Sequence, residues 1–212
     1  MWLIDPAGDR AVLVRVWLTI DPLALGEVLA LERALTSAAV PGLLGTVPSY
    51  ASLLCRYDPV VTDSDSLAQS IRPYEGTLEP MPFSGDVIDI PTRYDGPDLD
   101  EVAEKTALSR GEVIELHAGR DYLVYCIGFA PGFTYCGELH QGLTVPRKAS
   151  PRPRVRAGSV AIAGRQTGIY AVDSPGGWSL IGRTDVVLLD PDLYPPARFK
   201  PGDRIRFVPI RD

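Results

Sequence analysis

The chain has 212 residues, of which 45% are hydrophobic, and a formal net charge of −6. This length holds one large domain or two small ones, and the composition supports a buried core and excludes a disordered chain. The acidic charge argues against a nucleic-acid partner, and the lack of a basic leader or a long apolar run predicts a cytoplasmic protein without a membrane partner.

The first part of the chain is predicted to be a small two-layer α+β domain. Asp21 and Asp63 each precede a run with helical character and are predicted to cap it, with Pro22 at the first helical position. The predicted elements are a strand over 11–20, a helix over 22–37, a hairpin of strands over 43–47 and 50–57, and a helix over 64–74. This order is typical of a split βαβ unit. Because a Gly- and Pro-rich segment follows, we place the boundary near Gly85, with domains 1–85 and 86–212.

The second domain is predicted to begin with a strand and two short helices. Asp98 with Glu101, and Ser109 with Glu112, have the three-residue spacing of a capping box, so Asp98 and Ser109 are predicted N-caps. The second helix ends at His117, next to the following strand. The predicted strands of this domain are 87–91, 122–129, 159–163, 168–172, 178–181, 186–190 and 204–210. Short apolar runs separated by turns are typical of a β-sandwich or a closed barrel.

The cysteines and histidines bear on redox and metal chemistry. Cys55, Cys126 and Cys136 match neither a zinc ribbon nor a redox pair in their spacing, so we expect reduced and mostly buried thiols. Cys136 can be a nucleophile, but no histidine lies at a telling offset and packing is favoured. With only His117 and His140 available, no metal site is predicted.

The loops between Tyr122 and Thr184 are rich in Gly, Pro, Arg and Ser. Glycine costs backbone entropy and Pro-Gly pairs fix particular turns, so this stretch is typical of backbone held against a ligand. The sequence contains no serine nucleophile elbow, P-loop or dinucleotide-binding motif. We therefore interpret this stretch as the functional site, with its chemistry carried by polar side chains in the loops.

Three residues in this stretch or just before it have side chains suited to proton transfer or anion binding. His117 can exchange a proton near neutrality; the alternative is a helix-terminal histidine that interacts with the helix carbonyls. Arg147 and Arg183 can clamp a carboxylate or a phosphate; the alternative is ion pairing to Asp173 or Asp185.

Other residues of the stretch have neutral polar or aromatic side chains. Gln166 offers a donor and an acceptor for an amide-like group, or it only orients a turn. Ser174, which precedes Pro-Gly-Gly, can bind an anion together with neighbouring amides, or it makes a turn hydrogen bond. Aromatic side chains can line a pocket with apolar faces and polar tips; they are Tyr125, Tyr135, Tyr170 and Trp178, of which Tyr125 is expected in the core.

Three segments are recognisable as family motifs: GFAPGFTYCGEL from Gly128, PRKASPRPRVRAGSVAIAGRQTGIY from Pro146, and SPGGWSLIGRT from Ser174. In order and spacing they resemble the family that contains the B subunit of bacterial ATP-dependent 5-oxoprolinase, the first subunit of allophanate hydrolase and the KipI sporulation-kinase inhibitor. The resemblance implies an α+β protein, with a cyclophilin-like β-barrel behind the small α+β domain. It also implies a kinship with the carboxyltransferase domain of urea carboxylase.

The resemblance also implies partners and site residues. It implies a companion with a related barrel, similar to the C subunit of 5-oxoprolinase or the second subunit of allophanate hydrolase, with the A subunit of 5-oxoprolinase as a further partner and ATP as a co-substrate. Whether magnesium takes part, and which residues bind ATP, is left open. The residues assigned to catalysis are His117, Gln166 and Arg183, and those assigned to substrate binding are Arg147, Tyr170, Ser174, Gly176 and Gly177.

Two departures from the family pattern are visible. The segment that usually reads close to YLGGLD is YCGELH here, with Glu138 in place of a glycine and His140 in place of an acid. This change is expected to alter the rim of a pocket or a partner contact. Ala161 replaces the usual glycine before Ile-Ala-Gly and is expected to fill space in a strand.

The favoured hypothesis is a subunit of an ATP-dependent 5-oxoprolinase that is inactive alone. In it the arginines hold a carboxylate or a phosphate, Gln166 binds the lactam and His117 moves a proton. The alternative is a binding module that inhibits a histidine kinase through exposed aromatic residues near Phe133 and Trp178. A further alternative is hydrolysis of allophanate or a related urea-type amide.

Overall fold

The computed structural model describes residues 1–83 and 86–211. They form two compact units, which lie within Met1–Ser84 and Gly85–Asp212. The boundary predicted near Gly85 falls outside the described residues. None of the helices in the described part of the chain has both the length and the apolar character that a bilayer span requires.

The first unit contains a four-stranded antiparallel sheet and two helices. Its elements are β1 (Leu3–Pro6), β2 (Ala11–Arg15), α1 (Pro22–Ser37), β3 (Leu43–Ser49), β4 (Ser52–Tyr57), α2 (Ser64–Ile71) and a 3-10 turn (Arg72–Tyr74). The strand order is β1-β2-β4-β3. Since β4 is antiparallel to both β2 and β3, those two strands are parallel, as in a split βαβ unit. The sequence does not predict β1, because a four-residue edge strand ending in proline has no apolar alternation.

Local signals determine the helix starts of this unit. The Asp21 carboxylate accepts a hydrogen bond from the Leu23 amide at 2.7 Å, and the Asp63 carboxylate accepts one from the Ser66 amide at 2.8 Å. Both predicted caps are therefore confirmed. The buried faces of the helices and strands share one core, formed by Val12, Val14, Leu31, Leu35, Leu53, Cys55, Leu67 and Ile71 among others.

The second unit is built on a curled seven-stranded sheet. Its elements are β5 (Val87–Thr92), α3 (Leu99–Thr106), α4 (Arg110–Ala118), β6 (Asp121–Ile127), β7 (Thr134–Gly137), a 3-10 turn (Gln141–Leu143), β8 (Arg152–Val155), β9 (Ser159–Ala163), β10 (Gln166–Ile169), β11 (Ser174–Gly176), β12 (Ser179–Arg183) and β13 (Arg204–Pro209). The order is β12-β9-β10-β7-β6-β13-β5, and β8 and β11 form a separate ladder. Neighbouring strands are antiparallel except β13 and β5, which are parallel.

The two edges of the curled sheet are joined by backbone hydrogen bonds. Arg93, just after β5, exchanges two bonds of 2.8 Å with Arg183 of β12. Further along the same segment, the Asp98 amide donates to the Leu180 carbonyl at 3.0 Å. The sheet thus closes on itself, and the amides of the edge strand β12 are not left open. The predicted α+β class is confirmed.

The closed sheet has an apolar interior. Side chains that point inward form the main core, which includes Ile90, Tyr122, Val124, Cys136, Ile162, Ile169, Ile181, Ile205 and Phe207. Residues at alternate positions of β9 and β12, such as Ala161 and Leu180, point to the other side and join a second cluster. Cys55, Cys126 and Cys136 are buried thiols, as predicted.

Several strand predictions need correction. The strands predicted over 168–172 and 178–181 begin at Gln166 and Ser179. The sequence does not predict β7, β8 and β11, because these three- and four-residue strands lack an alternating apolar pattern. Within the described part of the chain, residues 186–190 form only an isolated bridge between Leu189 and Ala197. Leu188 is nevertheless buried, so the apolar run reflects packing without strand pairing.

Candidate functional site

The three motif segments meet on the outer side of β7, β10 and β9. In the register, Gly168 pairs with Tyr135 and with Ala161, and Gln166 pairs with Gly137 and with Ala163. Paired residues of antiparallel strands share one face, so these six residues lie on the same side of the sheet. We call this side the motif face. Because four of the six are glycine or alanine, larger side chains can lie flat across it.

An aromatic cluster covers the motif face. The Phe133 ring lies 4.6 Å from Tyr135, 4.8 Å from Tyr170 and 5.5 Å from Trp178, centroid to centroid, in edge-on arrangements. Phe133 and Trp178 are themselves only 2% and 5% exposed. The exposed aromatic residue beside them is Phe129, at 65%.

Tyr170 links the aromatic cluster to the basic residues of the motif segments. Burial raises the pKa of its hydroxyl, and a hydrogen bond from the Trp178 amide and the positive charges of Arg147 and Arg152 oppose that rise. Both guanidinium groups are therefore close enough to act on this hydroxyl. Gly176 lies against the same ring, where a Cβ would be 2.7 Å from Tyr170 Cζ.

We expect Gly176→Ala to displace Tyr170 and to lower the free energy of unfolding by about 1–3 kcal/mol, the usual cost of overpacking. Urea unfolding measures the change. Gly45→Ala is the matched control, because a Cβ at Gly45 meets nothing within 4 Å; it is expected to stay within about 0.5 kcal/mol of the wild type. Equal effects of the two substitutions would contradict the close contact at Gly176.

A buried carboxylate organises the basic residues. Asp98 is 3% exposed, and its Oδ1 accepts from Arg152 Nη2 at 2.6 Å and from Lys148 Nζ at 2.9 Å. Its Oδ2 accepts from the Leu180 amide at 2.7 Å. Burial alone would raise the pKa of Asp98, but the hydrogen bonds from Arg152, Lys148 and Leu180 outweigh it and hold this pKa below its usual value.

The capping box predicted at Asp98 is therefore wrong. The Asp98 side chain makes no bond to the first amides of α3, because its carboxylate is committed to Arg152, Lys148 and Leu180. The capping box at Ser109 is confirmed: Ser109 Oγ accepts from the Glu112 amide, and the Glu112 carboxylate accepts from the Ser109 amide at 2.7 Å. Spacing alone does not distinguish the two cases.

His117 lies inside the closed sheet and does not reach the motif face. Its Nε2 is 2.8 Å from Thr167 Oγ1, and its Nδ1 is 2.7 Å from the Tyr94 hydroxyl. Because the Thr167 hydroxyl donates to the Ala161 carbonyl at 3.1 Å, it accepts the Nε2 hydrogen, and Tyr94 donates to Nδ1. This assigns a neutral imidazole. Burial lowers the pKa of His117 to about 3.

Both nitrogens of His117 are thus occupied within the protein, and the residue is fully buried. The geometry favours a structural role, and the role in proton transfer stays a prediction. The alternative expectation is that His117 interacts with the helix carbonyls. Its ring is instead neutral and is hydrogen-bonded to Tyr94 and Thr167. Cys136 is also buried in this interior, where burial raises the pKa of its thiol.

The predicted arginines lie in different places. Arg183 is at the end of β12, and its Nε is 2.9 Å from Asp95 Oδ2. The expected partners pair elsewhere: Asp173 with Arg154, and Asp185 with Arg93. Arg147 is exposed, and its charge acts on the hydroxyls of Tyr135 and Tyr170 beside the motif face.

The remaining predicted residues lie on or next to the motif face. Gln166 is half-buried on it. Ser174 and Gly176 belong to β11, which pairs with β8, and the Gly177 carbonyl accepts from the Lys148 amide at 2.8 Å. The structure therefore brings together Arg147, Gln166, Tyr170, Ser174, Gly176 and Gly177, and it separates His117 and Arg183 from them.

Sequence reasoning missed Asp98 as a candidate site residue and gave Lys148 and Arg152 no individual role, whereas it named Tyr135 as a residue that can line a pocket. The two basic residues lie in a motif segment, which is a signal of their involvement. Asp98 carries no such signal, because its spacing to Glu101 fits a helix cap equally well.

The departures from the family pattern have local partners. Glu138 forms an ion pair with Arg165. His140 Nδ1 accepts from the Gly142 amide at 3.1 Å, a bond that an acid at this position can also accept. Ala161 is fully buried in the aromatic cluster, where its methyl group fills space.

Residues 2–199 match the family described as carboxyltransferase domain, subdomain C and D. The B subunit of 5-oxoprolinase from Bacillus subtilis (strain 168) is 37% identical over 99% of this chain and 93% of that protein. The corresponding 5-oxoprolinase B subunit of Escherichia coli O157:H7 is 48% identical over 59% of each chain.

Among solved structures, TTHA0988 has 42% sequence identity and a TM-score of 0.85, over 96% of this chain and 41% of that longer chain. This chain thus spans about two fifths of that relative. The Kluyveromyces lactis urea amidolyase, at 19% identity and a TM-score of 0.80, shares the fold. The match over nearly the whole chain, on the segments that form the motif face, shows that this protein belongs to the family of carboxyltransferase domain, subdomain C and D.

Proposed function

We propose that this chain is one subunit of a hydrolase complex that opens the lactam ring of 5-oxo-L-proline to give L-glutamate with ATP as co-substrate. The observation that carries the proposal is the similarity over 99% of the chain to the B subunit of a 5-oxoprolinase. The motif face supports it, because it combines the groups that such a substrate requires.

The chemistry of 5-oxo-L-proline matches the motif face group by group. The apolar edge of its ring can lie on the aromatic cluster, and its carboxylate can pair with a guanidinium such as that of Arg147. Its lactam N–H and C=O need an acceptor and a donor, and the Gln166 side chain has both. Tyr135 and Tyr170 place hydroxyl groups at the same cluster.

The lactam is resonance-stabilised, which is the chemical reason for ATP. Transfer of a phosphoryl group from ATP to the lactam oxygen makes the ring carbon more electrophilic and gives it a better leaving oxygen. Water then adds to this carbon, the ring C–N bond breaks as the nitrogen takes a proton, and an acyl phosphate remains. A second water cleaves the acyl phosphate to the carboxylate and releases phosphate. The products are glutamate, ADP and phosphate. In this scheme the role of this chain is to bind and orient the lactam.

The described residues of the motif face do not include all the groups that this reaction requires. His117 and Cys136, two buried residues with reactive side chains, point into the interior. We therefore propose that the active site is completed by a companion with a related barrel, similar to the C subunit of 5-oxoprolinase, with the A subunit as a further partner. The greater length of TTHA0988 is consistent with a fused second module.

The kinase-inhibitor alternative relied on exposed aromatic residues near Phe133 and Trp178. These two residues are buried, and Phe129 beside Phe133 is exposed; one exposed ring does not favour kinase binding over hydrolysis. The urea-type alternative shares the same small planar amide chemistry, and the substrate panel of the test below separates it from 5-oxoprolinase.

The test is ATP-dependent conversion of 5-oxo-L-proline, with allophanate in parallel, by the complex purified with its companion subunits. We expect conversion of 5-oxo-L-proline only with ATP and the companions. Arg147→Ala is expected to lower kcat/KM by about 10- to 100-fold, the loss of one charged hydrogen bond. Arg154→Ala is the matched control, since Arg154 is 76% exposed and pairs with Asp173.

Two outcomes would contradict the proposal. An intact complex that consumes allophanate, or neither compound, excludes the 5-oxoprolinase function. Equal kcat/KM values for Arg147→Ala and Arg154→Ala in an active complex would show that the substrate does not bind beside Tyr170.

A further inference from the structure

Two buried polar side-chain atoms within residues 1–83 and 86–211 have no hydrogen-bond partner: Arg152 Nη1 and Ser174 Oγ. Both belong to the β8–β11 ladder, in which Arg152 pairs with Gly176 and Ser174 pairs with Val155. Unpaired buried polar groups are rare in folded proteins, because burial without a partner destabilises the fold. Two of them on one small ladder indicate that a ligand provides the missing acceptor.

Arg152 is held in a fixed orientation. Its Nη2 donates to Asp98 Oδ1 at 2.6 Å, and Asp98 is in turn held by Lys148 and the Leu180 amide. Since a guanidinium is planar, fixing one nitrogen on a 3% exposed carboxylate restricts the direction of the other. The unpaired Nη1 is thus a preorganised donor.

The unpaired donors adjoin the motif face. Gly176, the ladder partner of Arg152, lies against the Tyr170 ring. Ser174 is two residues earlier on the same strand. A guanidinium N–H and a hydroxyl on one ladder are donors suited to an anionic oxygen, because charge-assisted hydrogen bonds are the strong ones and a carboxylate or phosphoryl oxygen accepts more than one.

We propose that Arg152 Nη1 and Ser174 Oγ bind one anionic oxygen of the ligand of the motif face, with Asp98 as the positioning residue for Arg152. The ligand group is a carboxylate or a phosphoryl group. The inference rests on the proposed function, in which 5-oxo-L-proline brings a carboxylate and ATP brings phosphoryl oxygens. The experiments below distinguish these two sources.

The first test is the thermal stability of the full chain without ligand. Ser174→Ala removes an unpaired buried hydroxyl, so Tm is expected to rise by about 2–4 °C. Ser109→Ala is the control with a paired hydroxyl, and its Tm is expected to fall by a similar amount. A lower Tm for Ser174→Ala would show a structural partner for this hydroxyl and would overturn the proposal.

The second test is steady-state kinetics of the assembled complex. Ser174→Ala and Arg152→Lys are expected to raise by about 10-fold or more the KM for the substrate whose oxygen they bind. A rise for 5-oxo-L-proline identifies the carboxylate, and a rise for ATP identifies a phosphoryl group. Arg154→Lys is the control on the same strand. Unchanged constants for Ser174→Ala in an active complex would overturn this inference and leave the proposed function intact.

If the wild-type complex does not act on 5-oxo-L-proline, the proposed function fails and direct binding decides the inference. The full chain is then titrated with 5-oxo-L-proline, its neutral analogue 2-pyrrolidinone, and inorganic phosphate, with Tm as the readout. We expect one of the anions, and not 2-pyrrolidinone, to raise Tm in the wild type and not in Ser174→Ala. An absence of any anion effect on the wild type would overturn the inference.

Discussion

Lowering the pH from 7 to 4 is expected to destabilise this protein by about 3 kcal/mol through His117 alone. Burial lowers the pKa of His117 to about 3 in the folded chain, whereas the unfolded chain has an ordinary value of about 6.5. Between these two values the unfolded state binds a proton that the folded state does not. The contribution is therefore fully present above about pH 6.5 and decreases by about 1.4 kcal/mol per pH unit as the pH falls toward 3.

Substitution of His117 is expected to remove this pH dependence and to lower stability at neutral pH. His117→Ala leaves a cavity and takes away the partner of Tyr94 and Thr167, for a loss of about 3–5 kcal/mol. His117→Gln can keep one of the two hydrogen bonds and is expected to lose less. Urea unfolding at pH values from 4 to 7 measures both effects.

His140→Gln is the matched control, because His140 is exposed at the chain surface and its Nδ1 bonds only to a local amide. It is expected to keep the wild-type slope. If His117→Gln also keeps that slope, the assignment of a neutral buried imidazole is wrong. Activity of the complex separates the two roles of His117: a kcat loss in a variant of wild-type stability would support proton transfer.

Asp98→Ala is expected to destabilise the second unit by about 3–5 kcal/mol, since it removes one partner of a buried ion cluster. Lys148 and Arg152 then lose their shared acceptor, and the Leu180 amide loses its side-chain bond. Asp98→Asn keeps an oxygen for that amide and is expected to lose less. Arg152 is released in both variants. The KM for the substrate whose anionic oxygen Arg152 binds is therefore expected to rise as well.

The contributions of Asp98 and His117 to stability are lost over different pH ranges, so the two can be measured separately. The pKa of Asp98 is lowered in the folded state, so its contribution is present above about pH 4 and is lost as the pH falls below that value. Asp100→Ala is the control, because Asp100 is 78% exposed at 3.3 Å from Arg110; it is expected to cost at most about 1 kcal/mol.

A double-mutant cycle with Arg152→Ala tests the pair directly. We expect a coupling energy of about 1–3 kcal/mol between Asp98 and Arg152. Additive effects of the two substitutions would show that Asp98 supports the fold without positioning Arg152.

Much of the local structure follows from the sequence by itself. Asp21, Asp63 and Ser109 form the predicted caps, because a side chain and an amide two or three residues away determine such a contact. The apolar runs at β9 and β13 have the patterns of buried strands, and the strands predicted there are confirmed. The motif segments also identify the family and the region of the site, since they lie on the motif face.

Only the tertiary structure decided the roles of residues whose partners are distant in the chain. Asp98 lies 82 positions before Leu180, and His117 lies 50 positions before Thr167. Closure of the sheet through Arg93 and Arg183 brings such residues together, and strand register determines whether a side chain points to the interior or to the motif face. A local pattern encodes backbone preference and alternation but not register. For this reason Asp98 has the sequence pattern of a cap, and His117 that of an accessible histidine, although both are buried.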